Sequence, residues 1–366
     1  MDKKCAYDLL ESTLERFARE KNSLLEFYPR KAEDRDTCFL WSYFATTGML
    51  YQAVRAGFPV KHIFKEYIDA LPYYRCAPQP GKPVKYHSER GSRINGGHGP
   101  CFFDDNIWTA RNYLFAYEVF EEQFYLEEAR RVVEFVYSGW DECLGGVVWN
   151  ENGLTEGGTV QELERGLSAN ACASLVSAIL YRITGEERYL SWAKRFYEFC
   201  KTVQDPETKI YYNGIHTRIE NGGRTSGEVN KDLYSYNSGS MILVNLELYQ
   251  ITGDPQYLED AQATSEAAFH AFLAKDESSG QHYFKDFIWF TAILAEGWSA
   301  LISTGAQRER GYMKMLSMSV EYASRFRNSA GLLPHDLVCG WRSDDDYDRM
   351  LLTHSAIAEI AVLCSE

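Results

Sequence analysis

The sequence lacks the features of several protein classes. No uninterrupted apolar run approaches the ~18 residues that a membrane-spanning helix needs. Basic residues are outnumbered, because 38 Lys and Arg face 52 Asp and Glu, a formal net charge of −14. An acidic surface repels nucleic acid and anionic membranes, so we expect neither as a partner. A neutral ligand, such as a sugar, stays compatible with this charge.

Paired cysteine motifs are also missing. The nine cysteines are odd in number and scattered, and no Cys-x-x-Cys occurs. This pattern predicts reduced, mostly buried thiols, without a disulfide framework or a zinc site. Acidic residues interrupt the segment from Met1 to Asp8 and no apolar segment follows, which predicts no signal peptide and a cytoplasmic location. Without an obvious apolar patch, we expect a monomer.

Two common catalytic motifs are absent as well. No Gly-x-Ser-x-Gly nucleophile elbow is present. The glycine-rich segment from Gly96 to Pro100 neither follows a strand nor opens into a phosphate-binding helix, so no dinucleotide cofactor is expected. Aromatic residues, by contrast, are plentiful at 14%. They fit either an ordinary core or a cleft lined with flat rings that suits carbohydrate.

A repeated pattern organises the chain. Leu180-Tyr181-Arg182-Ile183-Thr184-Gly185 and Leu248-Tyr249-Gln250-Ile251-Thr252-Gly253 are each followed by a Tyr-Leu pair that opens a new apolar stripe, and Ala116 to Ala129 is a related copy. The glycine can take the left-handed conformation that ends a helix, and Tyr-Leu starts the next. Each repeat is therefore predicted to be a helical hairpin.

The hydrophobic periodicity predicts twelve helices and only short strands at 147–149 and 210–212. Six hairpins in a ring make an all-α (α/α)6 barrel with apolar inner and half-wet outer helices, and we expect one catalytic domain over residues 1–366. The predicted helices are 4–27, 38–56, 60–72, 104–121, 123–138, 162–183, 187–203, 235–251, 255–273, 287–303, 308–327 and 347–364.

Asp104 and Asp105 are the strongest candidates for chemistry. They stand side by side at a predicted helix start, between Phe103 and Trp108. Aspartates at a helix start can simply cap it. Among aromatic rings, however, two close carboxylates resist ionising together, which raises the pKa of one and leaves an acid beside a base. Glycoside hydrolysis needs this division, and a short carboxyl separation favours the retaining route.

The segment Phe103-Asp104-Asp105-Asn106-Ile107-Trp108 resembles the Asp-Asp motif of glycoside hydrolase family 76, the endo-α-1,6-mannanases. The resemblance implies an (α/α)6 barrel, retaining chemistry and no metal, with Asp104 as nucleophile and Asp105 as general acid and base. Further segments resemble family motifs in the same order along the chain: Gly145-Gly146-Val147-Val148-Trp149-Asn150, Ser168-Ala169-Asn170, Tyr234-Ser235-Tyr236-Asn237-Ser238-Gly239 and Phe284-Lys285-Asp286-Phe287.

Several other residues are candidates for binding a sugar. Amide, ammonium and carboxylate groups near inner-helix starts can hydrogen-bond hydroxyls, although each can also cap its own helix. Aromatic rings can stack on a sugar or belong to the core, and a loop histidine can reach a sugar or only contact solvent. These candidates are His98, Trp108, Trp149, Asn170, Tyr236, Asn237, Lys285 and Asp286. The acidic run Asp344–Asp346 can close a cleft or be a solvated cap.

The sequence therefore predicts a hydrolase that acts on α-linked, α-1,6-mannosidic oligosaccharides. Three alternatives stay open: transglycosylation on the same scaffold, the related barrels of sugar epimerases and unsaturated-uronyl hydrolases, and a glycan-binding barrel in which the Asp pair only caps a helix. The epimerase-like alternative relies on paired histidines or a distant Asp pair, and only eight histidines are present.

Overall fold

The computed structural model describes residues 1–77, 79–92, 94–155, 158–220, 223–305, 311–334 and 350–365. These described residues contain twelve α-helices, the number predicted from periodicity. The helices are α1 (Lys3–Phe17), α2 (Leu40–Arg55), α3 (Lys61–Ile68), α4 (Phe103–Phe120), α5 (Gln123–Ser138), α6 (Leu167–Thr184), α7 (Glu187–Lys201), α8 (Ser235–Thr252), α9 (Pro255–Phe272), α10 (Ile288–Ser303), α11 (Tyr312–Ala323) and α12 (Leu351–Leu363).

The strands are short and pair in small antiparallel sheets, of which the largest has three strands in the order β5-β6-β7. They are β1 (Ala18–Arg19), β2 (Ser23–Leu24), β3 (Glu89–Ser92), β4 (Gly96–His98), β5 (Arg165–Gly166), β6 (Gly214–Glu220), β7 (Gly223–Asn230), β8 (Leu273–Lys275) and β9 (His282–Phe284).

Contacts group the chain into two compact units, residues 1–70 with 268–366, and residues 71–267. Within the second unit α4, α6 and α8 are buried on most sides, whereas α7 buries one stripe that includes Tyr189, Ala193 and Phe196. The predicted alternation of apolar and amphipathic helices is therefore observed in this unit. The expectation of a single domain over residues 1–366 stays a prediction.

Helix α6 shows how burial explains apolar composition. By length and mean hydropathy (1.2) it could cross a membrane, yet 72% of it is buried inside the protein. Its Leu175 and Ala178 pack in one cluster with Tyr197 and Cys200 of α7 and with Leu248 of α8. The apolar character of α6 thus serves the core of the second unit.

The ends of the repeated helices follow the predicted chemistry. Gly185 after α6 and Gly253 after α8 have φ angles of 71° and 70°, in the left-handed region. The equivalent position after α4 is Glu121, which adopts the same conformation with φ 57° although it has a side chain. The helical hairpin is therefore built in the same way three times, once without glycine.

Two predictions about the elements were wrong. The first helix ends at Phe17 rather than near residue 27, because Lys21 and Asn22 take positive φ angles and turn the chain into the β1–β2 hairpin. The longest strands, β6 and β7, were not predicted, while the segments expected as short strands make only single bridges at Val147 and Tyr211.

The first unit contains α1 to α3 and α10 to α12 with the β8–β9 hairpin. Its interior holds polar pairs as well as apolar packing. Gln52 of α2 donates from Nε2 to Glu296 Oε2 of α10 (3.0 Å), and Thr46 of α2 shares a hydrogen bond with Ser355 of α12 (2.9 Å). These bonds satisfy groups that burial would otherwise penalise.

Candidate active site

The two predicted catalytic aspartates lie in the first turn of α4. Phe102 is the N-cap residue, in extended conformation, and no side chain caps the helix there. Neither Asp104 nor Asp105 therefore occupies the capping position, although both carboxylates lie near the positive end of the helix. Both side chains are partly buried.

Asp104 is held by two donors. Trp108 donates from Nε1 to Asp104 Oδ1 (3.1 Å), and Ser168 of α6 donates from Oγ to the same oxygen (3.1 Å). Burial raises the pKa of Asp104 to about 6, and the hydrogen bonds from Ser168 and Trp108 oppose this rise. Asp104 is thus the member of the pair that the protein helps to ionise.

Asp105 lies in a different environment. Burial raises its pKa to about 8, and the negative charge of Asp104 adds to the rise. Thr109 donates to the main-chain oxygen of Asp105 (2.8 Å) and not to its carboxylate. At neutral pH the arrangement therefore holds one carboxylate and one carboxylic acid side by side.

Trp108, a predicted sugar-binding residue, is 3% exposed. Its indole nitrogen is within hydrogen-bond distance of Ser168 Oγ (3.3 Å) as well as of Asp104. The buried ring therefore hydrogen-bonds Asp104 and orients its carboxylate.

Asn170, also predicted to bind sugar, is fully buried in α6. Its Oδ1 accepts from the Val147 N–H (2.8 Å), and its Nδ2 donates to the carbonyls of Val147 (3.2 Å) and Gly166 (2.7 Å). Main-chain groups thus pair with both the oxygen and the nitrogen of this amide. Asn170 therefore holds the segment before Trp149 against α6, an arrangement that we call the amide clasp.

Trp149 is the exposed aromatic residue near the aspartates. It is 37% exposed, and its ring lies 4.9 Å from that of Phe102. The Phe103 N–H donates to the Trp149 carbonyl (3.0 Å), which joins the Trp149 segment to the start of α4. A flat, accessible ring beside the first turn of α4 is suited to stacking on a sugar.

A buried arginine fixes the turn that leads to Trp149. Arg165 is 0% exposed and donates to the carbonyls of Leu144 (3.0 Å) and Gly145 (3.2 Å) and to Ser226 Oγ of β7 (3.1 Å). Gly146, which follows Gly145 in this turn, has φ 80°. A Cβ there would lie 2.7 Å from the Phe199 ring, so glycine is required.

Tyr236 and Asn237 lie in the first turn of α8, which is mostly buried, like α4 and α6. Tyr236 donates from its hydroxyl to Asn213 Oδ1 (3.5 Å), and Asn237 donates from Nδ2 to the same oxygen (3.4 Å). Asn237 is fully buried, whereas Tyr236 is partly exposed. His98 lies in β4 with 65% of its side chain exposed, and its Nδ1 is 3.5 Å from Glu89 Oε2.

Lys285 and Asp286 belong to the other compact unit. Lys285 is exposed, and Asp286 Oδ1 accepts from the Phe287 N–H (2.8 Å) immediately before α10. The N-cap residue of α10 is Phe287, and no side chain caps this helix, so Asp286 does not cap it. The acidic run Asp344–Asp346 lies outside the described residues.

One cluster of metal-binding residue types occurs among the described residues. The ligand atoms of Cys76, His87 and Cys101 all lie within 4.8 Å of one another. His87 Nδ1, however, is 2.5 Å from the Gly99 carbonyl oxygen, which can only accept, so this nitrogen carries a proton. Nδ1 is therefore not a metal ligand in this arrangement, and Nε2 is the ring nitrogen of His87 that could bind a metal.

Sequence reasoning missed two residues of the site. Ser168 was noted only as part of a motif, yet it is a hydrogen-bond donor to the carboxylate of Asp104. Arg165 gave no signal, because an arginine in a charged segment is usually solvated. The signal for Ser168 was available in the repeat, since it lies 64 residues after Asp104, at the equivalent helix position.

Comparison with known proteins identifies the family of the chain. The family model for glycosyl hydrolase family 76 matches residues 91–365. No curated protein matches the chain. A family 76 glycoside hydrolase from a bovine Bacteroides thetaiotaomicron strain has a similar structure, with a TM-score of 0.81 at 20% identity, covering 98% of this chain and 76% of that one.

Two further solved structures are similar. A family 76 mannosidase from Bacteroides thetaiotaomicron gives a TM-score of 0.79 at 22% identity, over 98% of this chain and 96% of that one. The α-1,6-mannanase of a Salegentibacter species, an inactive variant with two consecutive aspartates changed to asparagine and in complex with α-1,6-mannotriose, gives 0.75 at 18% identity over 99% of both chains.

These matches confirm the predicted fold class, the all-α (α/α)6 barrel of the family. They cover nearly the whole chain, and the family model spans the segment that carries Asp104, Asp105 and Trp149. The chain therefore belongs to glycoside hydrolase family 76.

Proposed function

We propose that this protein is a retaining glycoside hydrolase that cleaves α-1,6-linked manno-oligosaccharides, with Asp104 as nucleophile and Asp105 as general acid and base. The observation that carries the proposal is the unequal environment of two consecutive carboxyl groups. Two donors stabilise ionised Asp104, while burial and the charge of Asp104 keep Asp105 protonated.

The proposed reaction uses this inequality in two steps. The carboxylate of Asp104 attacks the anomeric carbon while Asp105 gives its proton to the leaving oxygen, which forms a glycosyl ester on Asp104 and releases the first product. Asp105, now ionised, takes a proton from water as the water attacks the same carbon. The ester bond breaks, the sugar is released, and both carboxyl groups regain their starting protonation.

The surroundings of the pair favour a neutral sugar. Trp149 offers a partly exposed ring beside the catalytic turn, packed against Phe102. The formal net charge of −14 disfavours an anionic polysaccharide as substrate. The α-1,6-mannosidic linkage is proposed because the similar Salegentibacter enzyme is described as an α-1,6-mannanase in complex with α-1,6-mannotriose.

The proposal is tested with α-1,6-mannotetraose beside an α-1,6-linked gluco-oligosaccharide. We expect cleavage of the mannoside, and proton NMR of the earliest product should show the α-anomer before mutarotation. A β-anomer formed first would contradict the retaining route. Products longer than the substrate would favour transglycosylation, and no cleavage of either sugar would favour a binding protein.

Asp104→Asn and Asp105→Asn should each abolish this cleavage while the variants stay folded by circular dichroism. Asp254→Asn is the matched control, because Asp254 Oδ1 accepts from the Gln256 N–H (3.0 Å) at the exposed start of α9 and has only a capping role. Equal activity in the Asp105 variant and this control would contradict the role of Asp105 as general acid and base.

A further inference from the structure

Two thiols lie in contact next to the catalytic helix. Cys76 Sγ and Cys101 Sγ are 3.5 Å apart, although 25 residues separate them in the chain. Cys76 is partly exposed, and Cys101 is buried just before α4. Both are free thiols, and a disulfide would bring their sulfurs from this distance to about 2.05 Å.

A lysine lies beside the exposed member of the pair. The Cys76 N–H donates to the Lys85 carbonyl (2.9 Å), and Lys85 Nζ is fixed by both oxygens of Glu151 (2.7 and 2.6 Å). The hydrogen bond with Cys101 lowers the pKa of Cys76, and the positive charge of Lys85 lowers it as well, while burial and the negative charge of Glu151 oppose the shift without reversing it. Cys76 is therefore the thiol that is more readily ionised, and a thiolate is the reactive form.

The buried member has the opposite character. The hydrogen bond with Cys76 and burial raise the pKa of Cys101. His87 Nδ1 lies 3.3 Å from Cys101 Sγ but donates its proton to the Gly99 carbonyl. The two thiols thus differ in exposure and in the direction of their pKa shifts, and the His87 proton is donated to a carbonyl rather than to either sulfur. An attacking and a resolving cysteine differ in the same way.

We propose that Cys76 and Cys101 form a peroxide-reactive site, in which Cys76 is the attacking and Cys101 the resolving cysteine. The Cys76 thiolate attacks one oxygen of hydrogen peroxide, the O–O bond breaks, and a sulfenic acid forms while the released hydroxide becomes water. The Cys101 sulfur then attacks the Cys76 sulfur, the S–O bond breaks, and the hydroxide leaves with the Cys101 proton as a second water. Two thiols are oxidised by two electrons, and one peroxide is reduced to two waters.

The test treats the full-length protein with equimolar hydrogen peroxide and follows its intact mass and its peptides. We expect a loss of about 2 Da that dithiothreitol reverses, and a peptide pair joined through Cys76 and Cys101. Cys101→Ser should instead gain one oxygen on Cys76, and Cys76→Ser should show neither product. Lys85→Met should slow the reaction, because it removes the charge beside Cys76.

Cys143 is the matched control. It is the exposed cysteine among the described ones, so exposure alone predicts that it reacts first. Competitive labelling of the unmodified protein, in which no variant has to fold, should show that peroxide protects Cys76 before Cys143. Faster protection of Cys143, or oxidation of Cys76 without a link to Cys101, would overturn the proposal. So would a stoichiometric zinc ion in native mass spectra that both cysteine variants lose, since that result identifies a metal site.

Discussion

The starts of α4 and α6 are two copies of one construction, 64 residues apart. Asn106 of α4 accepts from the Tyr86 N–H (2.7 Å) and donates to the Tyr86 carbonyl (2.9 Å), just as Asn170 of α6 does with Val147. Each asparagine also donates to the carbonyl four residues before it. The shared amide clasp thus holds an incoming segment against each helix start.

The two copies differ where chemistry is proposed. Asp104 corresponds to Ser168, and Asp105 corresponds to Ala169, in the first turns of α4 and α6. The copy without acids is still involved, because Ser168 donates to Asp104. The comparison teaches that the scaffold is common to the repeat, whereas the proposed activity depends on a few side chains placed on one copy and supported by the next.

The third copy, at α8, differs, because Ser238 stands at the fourth helix position that Asn106 and Asn170 occupy in α4 and α6. Asn237 makes a single, longer contact with Asn213 Oδ1 (3.4 Å), and its own Oδ1 is buried without a hydrogen-bond partner. Tyr236 and Asn237, the second and third residues of α8, stand where α4 has its two aspartates. The asparagine clasp is therefore a feature of α4 and α6, the two helices joined by the bond from Ser168 to Asp104.

The largest expected effect comes from making α4 resemble α6. Asp105→Ala places the residue of α6 at the position of the proposed acid, and kcat should fall about 10²–10⁴-fold because general acid catalysis is lost. Initial rates on α-1,6-mannotetraose measure this. The reciprocal change, Ala169→Asp, should not create activity in the Asp105→Ala background, and restored cleavage would show that the two copies are interchangeable.

Removing the clasp tests the scaffold rather than the chemistry. Asn170→Ala and Asn106→Ala each leave a buried main-chain N–H without its partner, which should lower the free energy of unfolding by about 1–3 kcal/mol. Urea unfolding followed by circular dichroism measures the change. Asn95→Ala, at an exposed position, should shift stability by less than about 0.5 kcal/mol. If Asn170→Ala were equally mild, the clasp would contribute nothing.

Ser168→Ala should change pH dependence more than maximal rate. A pair with pKa values of about 6 and about 8 predicts that kcat/KM rises through the first and falls through the second. Without the Ser168 donor the pKa of Asp104 rises, so the acidic limb should move up by about one pH unit. Ser174→Ala is the control. Ser174 lies on the same helix as Ser168 but donates to the Ala193 carbonyl of α7 (2.8 Å). An unmoved acidic limb in Ser168→Ala would remove Ser168 from the mechanism.

The smallest effect is on stability. The folded-state pKa of Asp105 is raised above its usual 3.8 to about 8, so the folded protein binds this proton more tightly than the unfolded chain. The stability penalty is therefore absent below about pH 4 and grows as pH rises toward 8. Asp105→Asn should raise Tm by about 2 °C or more at pH 8 and leave it unchanged at pH 4. Equal Tm values at both pH values would show that burial of Asp105 has no energetic cost.

The sequence predicted the regular parts of this protein better than its irregular ones. Hydrophobic spacing and Thr-Gly ends located twelve helices, because those signals are local. The β6–β7 hairpin escaped prediction, since its strands are mostly exposed and polar and carry little alternation. The aspartate pair was identifiable from its aromatic neighbours. The clasp role of Asn170 was not, because an asparagine at a helix start gives the same pattern whether it contacts solvent, a sugar or a distant main chain.

The hydrogen bond between Ser168 and Asp104 makes the proposed activity depend on the packing of α6 against α4 during refolding. Asp104 receives one donor from its own helix, Trp108, and the second, Ser168, from α6, so the second bond forms only when α6 packs against α4. In a stopped-flow refolding experiment, the helical signal reports helix formation in the whole chain, whereas the return of the proposed activity at low pH reports the packing of α6 against α4. The rate at which the proposed activity returns is then the rate at which two neighbouring repeats come into contact.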